Sequence, residues 1–328
     1  REKPEEVREK LKTRGEDTAM VEEVLALDAR RRELVQETET CKARRNEVSK
    51  LIPQKAKAKE PIDDLKNESR ELGEKIKSID AELTEVDAKR DEIMLSIPNL
   101  PHESTPVGAD DTENVEVHSW GEKPQFSFEP KPHWELGEQF DILDLPRGAK
   151  VAGSGFPVLR GALSRLQRVL VQWMLDTHTQ KNGYVEVDVP YLVNRRALTG
   201  TSQLPKFEDQ QYYVGGDDLF LIPTAEVPVT NLYGGEIIEG DQLPVALCAH
   251  TPCFRREAGA AGRENRGISR IHQFHKVELV HIVKPETSYD VHETLTQHAT
   301  SLLEALKLPY RVLSLCTGDI GFGAAKCY

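Results

Sequence analysis

No apolar run in the 328 residues approaches the roughly 20 needed to cross a bilayer, so a membrane protein is not expected. No CxxC pair occurs among the five scattered cysteines, Cys41, Cys248, Cys253, Cys316 and Cys327. That odd count, without a signal peptide, speaks against a secreted disulfide framework and for a reducing cytoplasm. Neither GxGxxG between a strand and a helix nor GxxxxGKS/T is present, which removes the two common glycine-rich phosphate-binding folds. Excess positive charge is also missing. The net charge of -12 argues against indiscriminate nucleic-acid binding, although local patches decide such contacts.

What is present begins with two long stretches rich in Glu, Lys, Arg and Ala, from Asp17 to about Ile52 and from Ile62 to about Leu95, each without an internal proline. Both read as helices. In the second, Leu65, Leu72, Ile79, Val86 and Ile93 fall seven apart, with Ile62, Ile76 and Leu83 on a second seam. The first repeats Leu27, Leu34, Cys41 and Val48 at the same spacing, while Arg31 and Arg45 weaken its other seam. Joined by the short segment Pro53 to Pro61, the two should fold back as an antiparallel hairpin projecting on the order of 50 Å. Its far end is basic: Lys42, Arg44, Arg45, Lys50, Lys55, Lys57 and Lys59 stand against Glu47 alone. Such a tip is either a nucleic-acid contact or an ordinary solvated helical face.

Eight prolines between Pro98 and Pro157, and the acidic stretch GADDTENVEV, mark a linker with short strands and one helix near His133 to Leu143. From Phe156 the chain turns apolar and periodic. A helix closed by Gly183 is followed by a strand over YVEVDVPYLV, then strand-like runs at 212–214, 219–222, 245–254, 271–283 and 310–315, with one further long helix at about Thr287 to Leu306. Strands that do not alternate strictly with helices predict an α+β fold with a mostly antiparallel sheet. The expected division is therefore 1–97, a coiled-coil arm; 98–155, a linker; and 156–328, a globular domain.

The stretch CFRREAGAAGRENRGISRIHQFHKVELV joins two strand-like runs by a loop, 258–270, far longer than hairpin loops usually are. Alternation puts Arg255 and Glu257 on one face of the first strand, and His272, Phe274, Lys276 and Glu278 together on one face of the second. Paired, that surface offers a planar guanidinium for phosphate, a ring for a flat base, and carboxylates for an amine. The competing reading is a set of exposed cross-strand salt bridges, each contributing about 0–1 kcal/mol. The loop, with Gly259, Gly262 and Gly267 for mobility and Arg263, Arg266 and Arg270 for charge, should close over a polyanion.

These residues resemble a known family. FRREAGAAGRENRGISRIHQFHKVE is similar to motif 2 of the seryl-tRNA synthetases, which are class II aminoacyl-tRNA synthetases, and LIPTAEVPV to their TxE serine-binding segment. The helix and strand from GSGFPVLRG to GYVEVDVPYLV resemble motif 1, and the basic-tipped hairpin resembles the family's N-terminal arm. The resemblance implies a class II catalytic domain after the arm. It also implies activation of serine with ATP to seryl-adenylate, Mg²⁺ as the ion, transfer to tRNA(Ser), and a homodimer through motif 1.

Carried over by motif, the resemblance assigns L-serine to Thr224, Ala225, Glu226, Arg255 and Glu278. It assigns ATP to Arg255, Arg256, Glu257, Arg270, Ile271 and Phe274, with Arg263 as a further phosphate or tRNA contact. Arg255 is the implied catalytic residue. The seven basic tip residues, Lys42 to Lys59, are the implied tRNA contacts. Serine's carboxylate is already ionised at neutral pH, so no general base is required of the protein. His272 and His275 fall on opposite strand faces without cysteines to complete a tetrahedral set, which favours the non-zinc form of the family. No metal ligands are assigned.

The chain begins at Arg1 rather than Met and stops after GFGAAKCY, before the family's motif 3. It is expected to be part of a longer protein. If the natural chain ended at Tyr328, a non-catalytic synthetase-like binding protein would be the alternative. A ligase acting on a carrier protein shares this catalytic core, but gives no reason for the basic arm.

Overall fold

The computed structural model describes residues 1–257 and 266–328. They form two compact units, residues 1–115 with 314–327, and residues 116–313 with Tyr328.

In the first unit, α1 (Pro4–Thr13) leads into two long helices, α2 (Ala19–Lys57) and α3 (Asp63–Ser96). They bury the two seven-residue repeats against each other. Leu34, Cys41, Ile76 and Ile79 form the centre of the seam, with Leu72, Leu83 and Val86 packed around them. Charged pairs tie the flanks: Arg30 Nε donates to Glu82 at 2.8 Å, Arg31 Nε to Asp87 at 2.8 Å, and Arg44 Nε to Glu68 at 2.7 Å. Arg31, expected to weaken its seam, reaches sideways to a carboxylate on the partner helix.

The turn differs from the sequence expectation. Helix α2 runs through Pro53 to Lys57, because the carbonyl that proline leaves without a helical donor, that of Ser49, lies on an exposed residue near the helix end where water reaches it. The helix then closes with Lys59 N–H on Ala56 O at 3.2 Å and Glu60 N–H on Lys55 O at 3.0 Å, and Lys59 adopts φ +58°. That is a Schellman closure with lysine in the left-handed position glycine usually takes. At the other end of the arm, Arg14 gathers four carbonyls: Asn99 at 2.9 Å, Ala324 at 3.1 Å, Ile320 at 3.0 Å and Gly321 at 3.1 Å. Helix α1 had no counterpart in the sequence reading.

The second unit opens with β1 (Val115–Trp120) and α4 (His133–Gln139). Next come β2 (Leu143–Asp144), α5 (Leu145–Ala152), β3 (Val158–Leu159) and the long α6 (Gly161–Lys181). The expected helix near His133 to Leu143 is α4, which ends at Gln139, and α5 is a second, separate helix. The second starts where the Asp144 carboxylate caps the N–H of Arg147 at 2.9 Å.

The strand expected over 184–193 is divided, into β4 (Val185–Glu186) and β5 (Leu192–Asn194), with Pro190 between them unable to donate to a ladder. Then follow α7 (Arg195–Gly200), β6 (Tyr212–Val214), β7 (Leu219–Leu221), α8 (Glu226–Asn231), β8 (Val245–Phe254), β9 (Gln273–Ile282), α9 (Ser288–Ala305) and β10 (Tyr310–Ser314).

The long hairpin β8–β9 is antiparallel over ten residue pairs, from Val245 opposite Ile282 to Phe254 opposite Gln273. Strand β4 joins β8 in parallel, the one parallel pair whose register is described. Strands β5, β7 and β6 make a separate antiparallel sheet. Helix α8 sits between two cores: Val227 packs with Val193, Leu198, Leu204, Phe220 and Ile222, while Ala225 and Val229 pack with Val189, Leu247 and Ala249. None of the described helices is long and apolar enough to cross a membrane.

Leu34 is 1% exposed at the centre of the arm seam. Leu34→Ala should therefore destabilise the arm by about 2–5 kcal/mol, read as an earlier unfolding transition in a thermal melt followed by far-UV circular dichroism.

Candidate active site

Burial fixes the segment 222–229 before any chemistry enters. Ile222, Ala225, Val227 and Val229 are fully buried, so the residues between them, Thr224 and Glu226, are held toward the face of the β8–β9 hairpin. That face is set by register. Cys253 stands opposite Phe274, Thr251 opposite Lys276 and Ala249 opposite Glu278, which leaves Phe274, Lys276 and Glu278 in a row with small neighbours across from them.

Thr224 and the row meet in a closed set of hydrogen bonds. The Thr224 hydroxyl donates to Glu278 Oε2 at 2.6 Å, and it accepts from Lys276 Nζ at 2.8 Å and from the Glu226 N–H at 3.2 Å. Lys276 Nζ also lies 2.5 Å from the same Glu278 oxygen. A hydroxyl with one proton and two lone pairs is thereby fully used. Lys276 was placed on this face by sequence alternation but given no role. The signal was there, a cation two residues from Phe274 and two from Glu278.

Glu226 is open to solvent at its outer edge, yet the surrounding protein shields it enough to matter. Loss of solvation, then the neighbouring Glu278 carboxylate, pushes its carboxyl above the ordinary range, while Lys276 and Arg255 pull the other way. Two cations and two carboxylates thus balance across the cleft. Cys253 faces the same way but is fully buried, and burial pushes its thiol up, so it is an inert wall rather than a nucleophile.

Arg255 lies just beyond β8. Its N–H donates to His272 O at 3.0 Å, its Nε donates to Pro223 O at 3.2 Å, and its guanidinium stands over the Phe274 ring at 5.2 Å. Strand alternation does not extend to Glu257. The strand ends at Phe254, Glu257 takes φ +48°, and its carboxylate accepts from Arg270 Nε at 2.5 Å. The Arg256 N–H instead donates to Gln210 O at 3.2 Å, in the turn before β6. Ala225 is in the core, so its side chain offers packing alone. Ile271 is half-buried where the chain re-enters the sheet.

Arg263, Gly259, Gly262 and most of the long loop lie outside the described residues. The loop's far base is anchored. His133 Nε2 accepts from the Ile268 N–H at 2.9 Å, and Arg266 stands over Trp134 at 5.5 Å. Gly267 has φ +86°, and a Cβ there would come within 2.1 Å of His133 Nε2. This contact from α4 had no sequence signal.

The two histidines weighed as metal ligands point elsewhere. His272 stacks on Phe156 and bonds Arg255 O through Nδ1 at 2.9 Å, while His275 pairs with His250 at 2.9 Å on the opposite sheet face. Among the described residues no three His, Cys, Asp or Glu side chains converge to hold a metal ion.

At the far end of the arm, Lys42, Arg44, Arg45, Lys50, Lys55, Lys57 and Lys59 are all exposed. Arg44 is engaged by Glu68 and Glu47, and Lys55 lies 3.3 Å from Glu60.

Comparison with known proteins gives the family. Residues 1–101 match the seryl-tRNA synthetase N-terminal domain, and residues 206–328 match the tRNA synthetase class II core domain (G, H, P, S and T). The chain is 52% identical to the serine–tRNA ligase of Listeria welshimeri over 99% of its length and 76% of that protein. It is likewise 52% identical to that of Carboxydothermus hydrogenoformans over 100% of its length and 77% of that protein. The seryl-tRNA synthetase of Pyrococcus horikoshii, solved with ATP, superposes with a TM-score of 0.92 at 36% identity, over 99% of this chain and 77% of that one. An antiparallel helical arm, a class II core and relatives of this identity over nearly the whole chain place it in the seryl-tRNA synthetase family, as a serine–tRNA ligase.

Proposed function

We propose that the cleft between Thr224, Glu226, Glu278 and Arg255 binds L-serine beside ATP and joins them into seryl-adenylate. The observation that carries this is the Thr224–Glu278–Lys276 set standing next to the Arg255–Phe274 pair: a small polar cradle beside a guanidinium and a flat ring. Glu226 and Glu278 accept from the serine ammonium and hydroxyl. A cradle that bonds a hydroxyl rejects the analogue lacking it by far more than an apolar pocket does. Phe274 stacks under adenine, with Glu257, Arg256, Ile271 and Arg270 around the base and outer phosphates.

Arg255 bridges the α-phosphate and the serine carboxylate. It brings two anionic groups together and offsets the charge that grows on the phosphoryl oxygens as they react. The described residues offer no preformed cation cluster. Mg²⁺ would arrive with the nucleotide's phosphates, which need only one or two protein carboxylates, and no step here is routed through it.

We further propose that the arm's basic end lies along the backbone of tRNA(Ser), where shape and phosphate contacts matter more than base readout. A homodimer through α6 and the strands after it is supported by apolar side chains left open there: Leu166, Val169, Val185 and Leu192 are all exposed. Five free cysteines fit a cytoplasmic setting.

The test of activation is serine-dependent ATP–pyrophosphate exchange in the intact enzyme. Arg255→Ala should lower it by about 10²–10³-fold. Undiminished exchange would remove Arg255 from the chemistry. Neutralising Lys55, Lys57 and Lys59 together should lower tRNA charging on the order of tenfold and leave exchange alone, and equal loss of both would refute the arm assignment.

Glu226 gives a pH prediction. Only the ionised carboxylate accepts from the serine ammonium, so kcat/KM for serine should fall as pH drops through a pKa above the ordinary carboxylate range. Glu226→Gln should lower the plateau and abolish that limb. The linked effect on folding has the opposite sense. A carboxyl raised in the fold contributes stability below its ordinary range and loses it as pH rises through the raised value.

A further inference from the structure

Outside the roles already given, the most constrained charged group in the cleft is Lys276. Its Nζ contacts the Thr224 hydroxyl at 2.8 Å and Glu278 Oε2 at 2.5 Å, and Thr224 donates to that same oxygen at 2.6 Å. Both described partners of the Glu278 carboxylate therefore sit on one oxygen. A carboxylate pinned through Oε2 by an ammonium and a hydroxyl cannot rotate freely, and it presents Oε1 as its accepting edge. The Thr224 hydroxyl, with all three of its bonds used, is equally fixed.

We infer that Lys276 is a specificity-determining positioning residue of the serine site, locking Glu278 as an acceptor with one free oxygen aimed at the substrate's hydroxyl. This rests on the reading of the cleft as a serine site. The physical content is in what the lock forbids. A carboxylate free to swing its Oε2 toward the substrate could tolerate a side chain with no hydroxyl. An ionised, immobile acceptor left facing a methyl group is desolvated without a partner, and that cost falls only on the wrong amino acid.

Lys276 also acts on its other anionic neighbour. The groups facing Glu226 are the Glu278 carboxylate from β9 and the cations Lys276 and Arg255. Removing one of the two cations leaves Glu226 less able to ionise, so its acid limb moves to higher pH.

The test compares wild type, Lys276→Met and Lys276→Arg by pyrophosphate exchange with serine and with alanine across pH. Thermal melts establish that each variant is folded. For Lys276→Met the expected result is a fall in kcat/KM for serine of about ten- to a hundredfold, a smaller fall for alanine, and hence a narrowed serine-to-alanine ratio, with the acid limb displaced upward. Lys276→Arg keeps the charge but not the single-point geometry. It should hold the acid limb in place and still narrow the ratio. A folded Lys276→Met with an unchanged ratio and an unmoved limb overturns the inference. So does an equal loss for both amino acids, which is what a merely structural residue would give. Absence of serine-dependent exchange in the wild type is a different failure, and it would retire the serine reading of the cleft rather than the role of Lys276 within it.

Discussion

Ten consecutive antiparallel pairs between β8 and β9 fix everything the cleft does. With a side-chain period of two, a one-residue slip would turn Phe274, Lys276 and Glu278 to the opposite face and bring His275 and Val277 in their place. The long register resists such a slip, because one face is committed to a core containing Leu247, Ala249 and Val280. Burial of Ile222, Ala225, Val227 and Val229 fixes the opposing segment. Strand register and burial therefore converge on one place, and the hydrogen bonds between Thr224 and the β9 row follow from that convergence.

Electrostatically the cleft is a balance rather than a field. Arg255 and Lys276 face Glu226 and Glu278, so two positive and two negative groups offset one another. The arm solves a different problem. Its basic residues are spread along an exposed helix end, where water and salt screen each charge.

Much of this was legible in the sequence because periodicity is a direct readout of burial. The heptads of Leu34, Cys41, Ile76 and Ile79 appear as the arm's core, and the strands at 245–254 and 273–282 sit where alternation put them. What the sequence hid depends on contacts between distant residues. Pro53 reads as a break, but the helix passes through it where the cost is borne by water. Glu257 reads as one more strand position, but the chain has already left the strand. Alternation put Lys276 on the right face but gave it no role, because nothing local shows that Thr224, 52 residues earlier, accepts a hydrogen bond from it. His133 gives no hint that it grips Ile268.

The return of residues 314–327 to the first unit bears on how the polypeptide is made. The hairpin of α2 and α3 is local in sequence and can close while the chain is still emerging from the ribosome. The base of the arm cannot. Three of Arg14's four carbonyl acceptors, those of Ile320, Gly321 and Ala324, are translated more than 300 residues after it. Through that interval the guanidinium must stay hydrated, and the root of the arm becomes rigid only after residues 116–313 have been made.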